Sequence, residues 1–305
     1  MRVHVVGNAC IDTTFRLGRF PSPGETLNAS TVSEGLGGKG ANQAVAASRT
    51  GAPVTLWTAL GRDTTGATIS GALAGENLDL KVSAFDLPSD RSTIMVDATG
   101  ENLIVSGVAC AKSFDPLCQA EISAGIEPDD ILVLQGNLTT PATERCLRAA
   151  RERGAKTVLN LSPINEFSLP HLAFTDILVV NRSEAQTIAE QLDIDRAALN
   201  LASSGPAMVV VTLGPEGCIW LRADETTIHR LPAPAITAVD TSGAGDVFCG
   251  AFVGALSLGM AIPDSLRFAL AAASVAVTRP GTLASCPTSS EMAALLDRTK
   301  ANHHG

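Results

Sequence analysis

The chain is short of positive charge. Its 22 Lys and Arg stand against 31 Asp and Glu, a net charge of −9, and no run of Lys or Arg occurs. A nucleic-acid surface needs clustered cations to neutralise phosphates, so no nucleic-acid partner is expected. Anionic substrates must be met by a local site instead. CxxC pairs are missing too: Cys10, Cys110, Cys118, Cys146, Cys218, Cys249 and Cys286 are dispersed and odd in number. That pattern points to reduced thiols and a cytoplasmic location rather than a disulfide framework. The five histidines are scattered, with His303 and His304 in the tail, and build no metal cluster with cysteine. Residues 1–7 lack the charged region, apolar stretch and cleavage site of a leader and read as a strand. The most apolar segments, 247–260 and 268–277, are too short or too rich in Gly and Ala for a membrane span of about 20 residues.

What remains is apolar and regular. With 45% hydrophobic and 17% charged residues over 305 positions, the chain can bury a large core. Short β-branched runs at 3–6, 54–58, 131–134, 157–161, 177–180 and 208–212 alternate with Ala-rich helix candidates at 39–50, 64–76, 141–153 and 183–191. Such alternation predicts an α/β fold with a mainly parallel central sheet and helices on both faces. Two segments, about 12–33 and 92–106, turn strand-like without a helix, with a turn at 97–101. They are expected to form a small β lid inserted in one domain spanning 1–305. The last third is helical, at 245–258, 264–278 and 289–299.

Chemistry concentrates in two glycine turns that run into helices. Asp240-Thr241-Ser242-Gly243-Ala244-Gly245-Asp246 precedes a helix-like segment. Small residues there let backbone N–H groups approach an anion, with a carboxylate, Asp246, at the edge to accept a proton. A plain glycine turn with a capping Asp is the alternative that the residues alone leave open. Gly37-Gly38-Lys39-Gly40-Ala41-Asn42-Gln43-Ala44 is the second turn. It is no P-loop, because Ser33 stands where the first Gly belongs and Gly40 where the magnesium-holding Ser or Thr belongs. A dinucleotide fingerprint, Gly35-x-Gly37-x-x-Gly40 with Asp63 beyond it, matches by letter, but the polar 28–33 segment before it is no buried strand.

Together with Pro21-Ser22-Pro23-Gly24-Glu25-Thr26, Gly61-Arg62-Asp63-Thr64-Thr65-Gly66, Asn181-Arg182-Ser183-Glu184, Thr212-Leu213-Gly214-Pro215-Glu216-Gly217 and Val277-Thr278-Arg279-Pro280-Gly281, these stretches resemble the ribokinase, or PfkB, family of carbohydrate kinases, its ribokinase branch above all. The resemblance implies a three-layer αβα sandwich with a β lid and ATP-dependent phosphorylation of a small sugar such as ribose or a related pentose or ketose. It implies Asp246 as the base and the amides of Gly243, Ala244 and Gly245 as an anion hole. Asp12, Gly38, Lys39 and Asn42 would grip the sugar. Asn181 and Glu184 would lie near the triphosphate and organise magnesium through water, and Thr212, Gly214 and Gly217 would line the adenine and ribose, with Gly245 also beside ATP. Read alone, Glu184 is a first-turn helix charge and the 212–217 segment a turn between strands. Asp240, Ser242, Val277, Gly281 and Ser285 would hold a monovalent cation, usually potassium. A homodimer paired through the lid is the implied assembly.

Two positions depart from the branch. Cys10 stands where a sugar-bonding Asn is usual, and Asn137 where a Glu is usual. Both rearrange polar contacts to the acceptor, so a ketose, a branched or shorter sugar, or a sugar acid stays open. A nucleoside kinase of the same fold and a sugar-binding sensor without catalysis are the alternative functions.

Overall fold

The computed structural model describes residues 1–164 and 169–301; His303 and His304 lie outside them. Its strands are β1 (Val3–Val6), β2 (Cys10–Arg16), β3 (Thr31–Gly37), β4 (Val54–Gly61), β5 (Asp79–Phe85), β6 (Arg91–Val96), β7 (Asn102–Gly107), β8 (Ile131–Gln135), β9 (Lys156–Asn160), β10 (Ile177–Asn181), β11 (Met208–Thr212), β12 (Cys218–Arg222) and β13 (His229–Leu231). Nine of them form one sheet in the order β13-β12-β11-β10-β9-β8-β1-β4-β5. Pairing is parallel from β11 through to β5 and antiparallel only for β11–β12 and β12–β13. The inner runs VHVV and ILVLQ are buried along their whole length, as strands covered on both faces must be.

Two apolar layers sandwich this sheet. On one face Val5, Leu56 and Val133 pack with residues of helices Lys39–Ser48, Ala244–Ser257 and Ile262–Ala276. On the other, Val6, Leu134 and Val180 pack with helices Thr140–Glu152, Arg182–Ala189 and Ile194–Ser203. The chain moves from β1 outward to β4 and β5, then crosses back to β8 and moves the opposite way to β11. The order therefore reverses between β1 and β8, and the crevice above their carboxyl ends is where an open α/β sheet binds ligands.

Helices Lys39–Ser48 and Ala244–Ser257 press together unusually closely. A Cβ on Gly250 would lie 2.4 Å from the Gln43 carbonyl, and one on Gly254 2.5 Å from Thr50 Oγ1. Their amino ends, which carry both glycine turns, consequently meet over the switch point.

A separate four-stranded sheet, β3-β2-β6-β7, supplies the lid. Its strands start at Cys10 and Arg91 and end at Gly37 and Gly107, slightly wider than the expected 12–33 and 92–106. Cys10 and Gly37 are thus lid residues. The turn at 97–101 is present, with the Asp97 amide donating to the Glu101 carbonyl at 3.0 Å. The edge strands β5 and β13, the strand β12 next to β13, and helix Ile194–Ser203 were not among the expected elements. β5 mixes exposed and half-buried positions, so it lacks the continuous apolar run that reveals the inner strands. No helix among the described residues is long and apolar enough to cross a membrane.

Candidate active site

Asp246 occupies the first turn of helix Ala244–Ser257 and is only 5% exposed. Its carboxylate is held from the other glycine turn. Asn42 Nδ2 donates to Oδ2 and Gln43 Nε2 to Oδ1, each at 3.0 Å, and Lys39 Nζ stands 3.7 Å from Oδ1. The helix cap is Gly243 in the left-handed region, φ 75°, and it offers no side chain to the first-turn amides. The Ala244 amide donates back to the Thr241 carbonyl at 3.3 Å, and the remaining first-turn N–H groups and the positive end of the helix lie beside Asp246, an arrangement suited to an anion.

Gln43 extends this grip into the sheet. The same Nε2 also donates to Asn160 Oδ1 at 2.9 Å, while Gln43 Oε1 accepts from Gln135 Nε2 at 2.9 Å. Gln135 and Asn160 end the paired strands β8 and β9. The carboxylate is thus oriented by amides rooted in the carboxyl edge of the parallel sheet.

Asp12, 9% exposed, lies on β2 in the lid. Cys10 Sγ donates to its Oδ1 at 3.3 Å, and Thr282 Oγ1 to its Oδ2 at 3.1 Å. Burial pushes the Asp12 carboxyl up, helped by the Asp246 charge, against hydrogen bonds from Cys10, Thr282 and Ser92 that pull it down. Burial, with the Asp12 charge, pushes the Cys10 thiol well up, so it stays a protonated donor rather than a nucleophile. A Cβ on Gly37 would fall 2.0 Å from Asp12 Oδ2: the carboxylate fills the space a side chain would need. Gly38, at φ 94°, likewise lies against the backbone of Asn8 and Ala9. The buried Oδ1 atoms of Asn42 and Asn137 have no partner among the described residues, leaving acceptors for a ligand's hydroxyls. Asn137 follows β8 by two residues.

Asn181 and Thr212 lie side by side at the ends of β10 and β11. Asn181 and Glu184 form a reciprocal capping box: the Glu184 amide donates to Asn181 Oδ1 and the Asn181 amide to Glu184 Oε2, both at 2.8 Å. Gly214 and Gly217 sit in the β11–β12 hairpin connection. Gly217 packs against backbone at Leu231 and Ala233. Just beyond, a cavity of about 420 Å³ opens between Pro234 and Ile236 on one side and Ala271, Ser274 and Val275 on the other. Its apolar walls suit a flat base, and the sequence pattern gave no sign of it.

Asp240 orders the turn leading to Asp246. Burial raises its carboxyl, but N–H donors from Gly281 at 3.0 Å and Ser242 at 2.9 Å, aided by Arg16, outweigh this and hold it below the ordinary carboxylate range. The Val277 carbonyl accepts from Val239 and Asp240, and Ser285 Oγ donates to the Thr282 carbonyl. The 240–246 and 277–285 segments are therefore one connected unit.

Besides the cavity, Gln135, Asn160, Ser92 and Thr282 are site residues the sequence did not expose. A polar residue closing an apolar strand, as Gln135 and Asn160 do, is the signal that could have found the first two. A buried carboxylate beside two glycine-led helix ends, at the switch point of a doubly wound sheet, suits a phosphotransferase acting on a hydroxyl group. The chain belongs to the pfkB family of carbohydrate kinases, whose pattern it matches over residues 2–289. It is 32% identical to the ribokinase of Haemophilus influenzae, across 96% of this chain and 97% of that one. The ribokinase structure from Thermotoga maritima superposes with a TM-score of 0.88 at 28% identity, covering 97% of this chain and 99% of that one. The Arabidopsis thaliana ribokinase structure, complexed with ribose and ATP, gives a TM-score of 0.85 at 28% identity, covering 96% and 98%. The protein is thus a carbohydrate kinase that uses ATP.

Proposed function

We propose that the chain transfers the γ-phosphoryl group of ATP to a terminal hydroxyl of a small sugar, a pentose or ketose, by in-line displacement with Asp246 as the base. The observation that carries this reading is the buried Asp246 carboxylate, fixed by Asn42, Gln43 and Lys39 at the amino end of a helix with no side-chain cap. The sugar hydroxyl passes its proton to Asp246 while its oxygen bonds to phosphorus, and the bond from phosphorus to the ADP oxygen breaks. Amides of Gly243, Ala244 and Gly245 receive the charge that gathers on the transferring group. Asp12 and the free Oδ1 of Asn42 hold other sugar hydroxyls, each carboxylate oxygen keeping a lone pair beyond its internal bond.

The nucleotide would lie along Asn181, Thr212, Gly214 and Gly217, with its base in the cavity beside Ala271 and Val275. Magnesium would be reached through water from Asn181 and Glu184, which fits a metal that keeps its hydration shell. Asp240, Ser285 and the carbonyls of Ser242, Val277 and Gly281 are an all-oxygen set of the kind a hard monovalent cation takes, and such an ion would stiffen the 240–246 turn. The outer lid face carries Val32 and Leu103 at 56% and 43% exposure, in the same register row as Phe15 and Met95, which a second lid would cover in a homodimer. An ATP-consumption screen over pentoses, ketoses, tetroses and sugar acids, with and without potassium, tests the reading. Substrate binding with negligible turnover in Asp246→Asn is expected, and near-normal turnover in that variant refutes the assignment.

A further inference from the structure

Across the lid, four residues share one face and one register row: Gly35 on β3 opposite Asp12 on β2, Asp12 opposite Ser92 on β6, and Ser92 opposite Ser106 on β7. Their polar atoms are linked. Ser106 Oγ lies 3.0 Å from Ser92 Oγ, Ser92 Oγ lies 3.7 Å from Cys10 Sγ, and Cys10 donates to Asp12. Ser92 is 9% exposed, whereas Ser106 stands at the open end. A Cβ on Gly35 would meet nothing within 4 Å, so the row borders open space beside Asp12.

Bulky apolar side chains on this row would close that space. Small polar ones keep it open and line it with groups that can both donate and accept. Thr282, which bonds Asp12 and the Leu36 carbonyl of β3, lies against Gly243 at the helix end that carries Asp246, whereas Ser92 and Ser106 are on the strands beyond the other side of β2. The row thus runs from Asp12 away from that helix end, towards the part of the sugar remote from the hydroxyl that Asp246 would deprotonate.

We propose that Ser92 and Ser106 form a second polyol subsite that selects a neutral sugar bearing a hydroxymethyl group at its non-phosphorylated end, that is, a 2-ketose. This rests on the proposed transfer reaction and adds the acceptor class. A hydroxymethyl on the carbonyl carbon brings the serines a hydroxyl that an aldose does not carry there. A carboxylate there would be repelled by Asp12, in the same row.

The test compares kcat/KM for D-ribulose and D-fructose, each against its 1-deoxy analogue, with D-ribose and a sugar acid alongside, in the wild type, Ser92→Ala and Ser106→Ala. The wild type is expected to favour each ketose over its 1-deoxy analogue by at least about tenfold, and both variants to bring that ratio towards one. Because Ser106 is exposed, its variant keeps the test valid if Ser92→Ala folds poorly. A wild-type ratio near one, an unchanged ratio in both variants, or preference for the aldose or the acid overturns the subsite. Failure of every sugar to consume ATP overturns the reaction assignment instead.

Discussion

Two carboxylates of one site are held in different ways. Asp246 takes its donors from Asn42, Gln43 and Lys39, and Gln43 is tied in turn to the ends of two inner strands. Asp12 takes a thiol from its own strand and a hydroxyl from the distant Thr282, on a small sheet with one open face. In the proposed reaction this contrast puts the fixed geometry that phosphoryl transfer requires on the nine-stranded core, and acceptor choice on the lid. Transfer can then be kept while lid residues change the sugar.

The comparison breaks hardest at Asp246. Asp246→Asn keeps the shape but removes the proposed base, and kcat should fall about 10³-fold with little change in sugar affinity, read by steady-state kinetics beside calorimetry. On the lid side, Gly37→Ala puts a Cβ into the Asp12 carboxylate. A cost of about 2 kcal/mol in sugar binding, roughly a thirtyfold rise in KM, is expected with a smaller effect on kcat. Equal losses in both constants would erase the proposed division.

Asp90 sharpens the contrast through pH. It lies at the root of the lid, where burial raises its carboxyl to about 6 against N–H donors from Cys110 and Ala111. The fold thus prefers it protonated. Its contribution is fully present below the ordinary carboxylate value and is lost as pH rises through about 6. Urea unfolding should show stability falling by on the order of 2 kcal/mol from this group across that window, and Asp90→Asn should flatten the trend. Smallest is Glu184→Ala, which opens the capping box at a cost of about 1 kcal/mol. If Glu184 also organises magnesium, the KM for ATP rises in a magnesium titration; an unchanged KM with a lowered Tm leaves it a cap alone.

Legibility followed the range of the interactions. The inner strands and the two glycine turns are local patterns, and residues such as Gly243 and Lys39 stood out because their neighbours in sequence define them. The network around Asp246 did not, since Gln43 meets it across 203 positions and Gln135 meets Gln43 across 92. An amide at a strand end carries no mark of its partner until the sheet order brings them together. Ser92 was hidden for a related reason: its meaning comes from cross-strand register, which one strand's sequence does not display. Edge strand β5 shows the same limit for the fold, because exposure removes the apolar run that betrays a buried strand.

Gly250 and Gly254 lie one and two turns below the reacting groups, yet they set the gauge of the site. The two helices they join carry the proposed sugar-gripping residues at one tip and the proposed phosphate cradle at the other, so in that reading the span between acceptor and donor is a machined dimension fixed deep in the hydrophobic layer. A single methyl added at Gly250 would act as a shim, lengthening the phosphoryl group's path without touching a residue that meets either substrate.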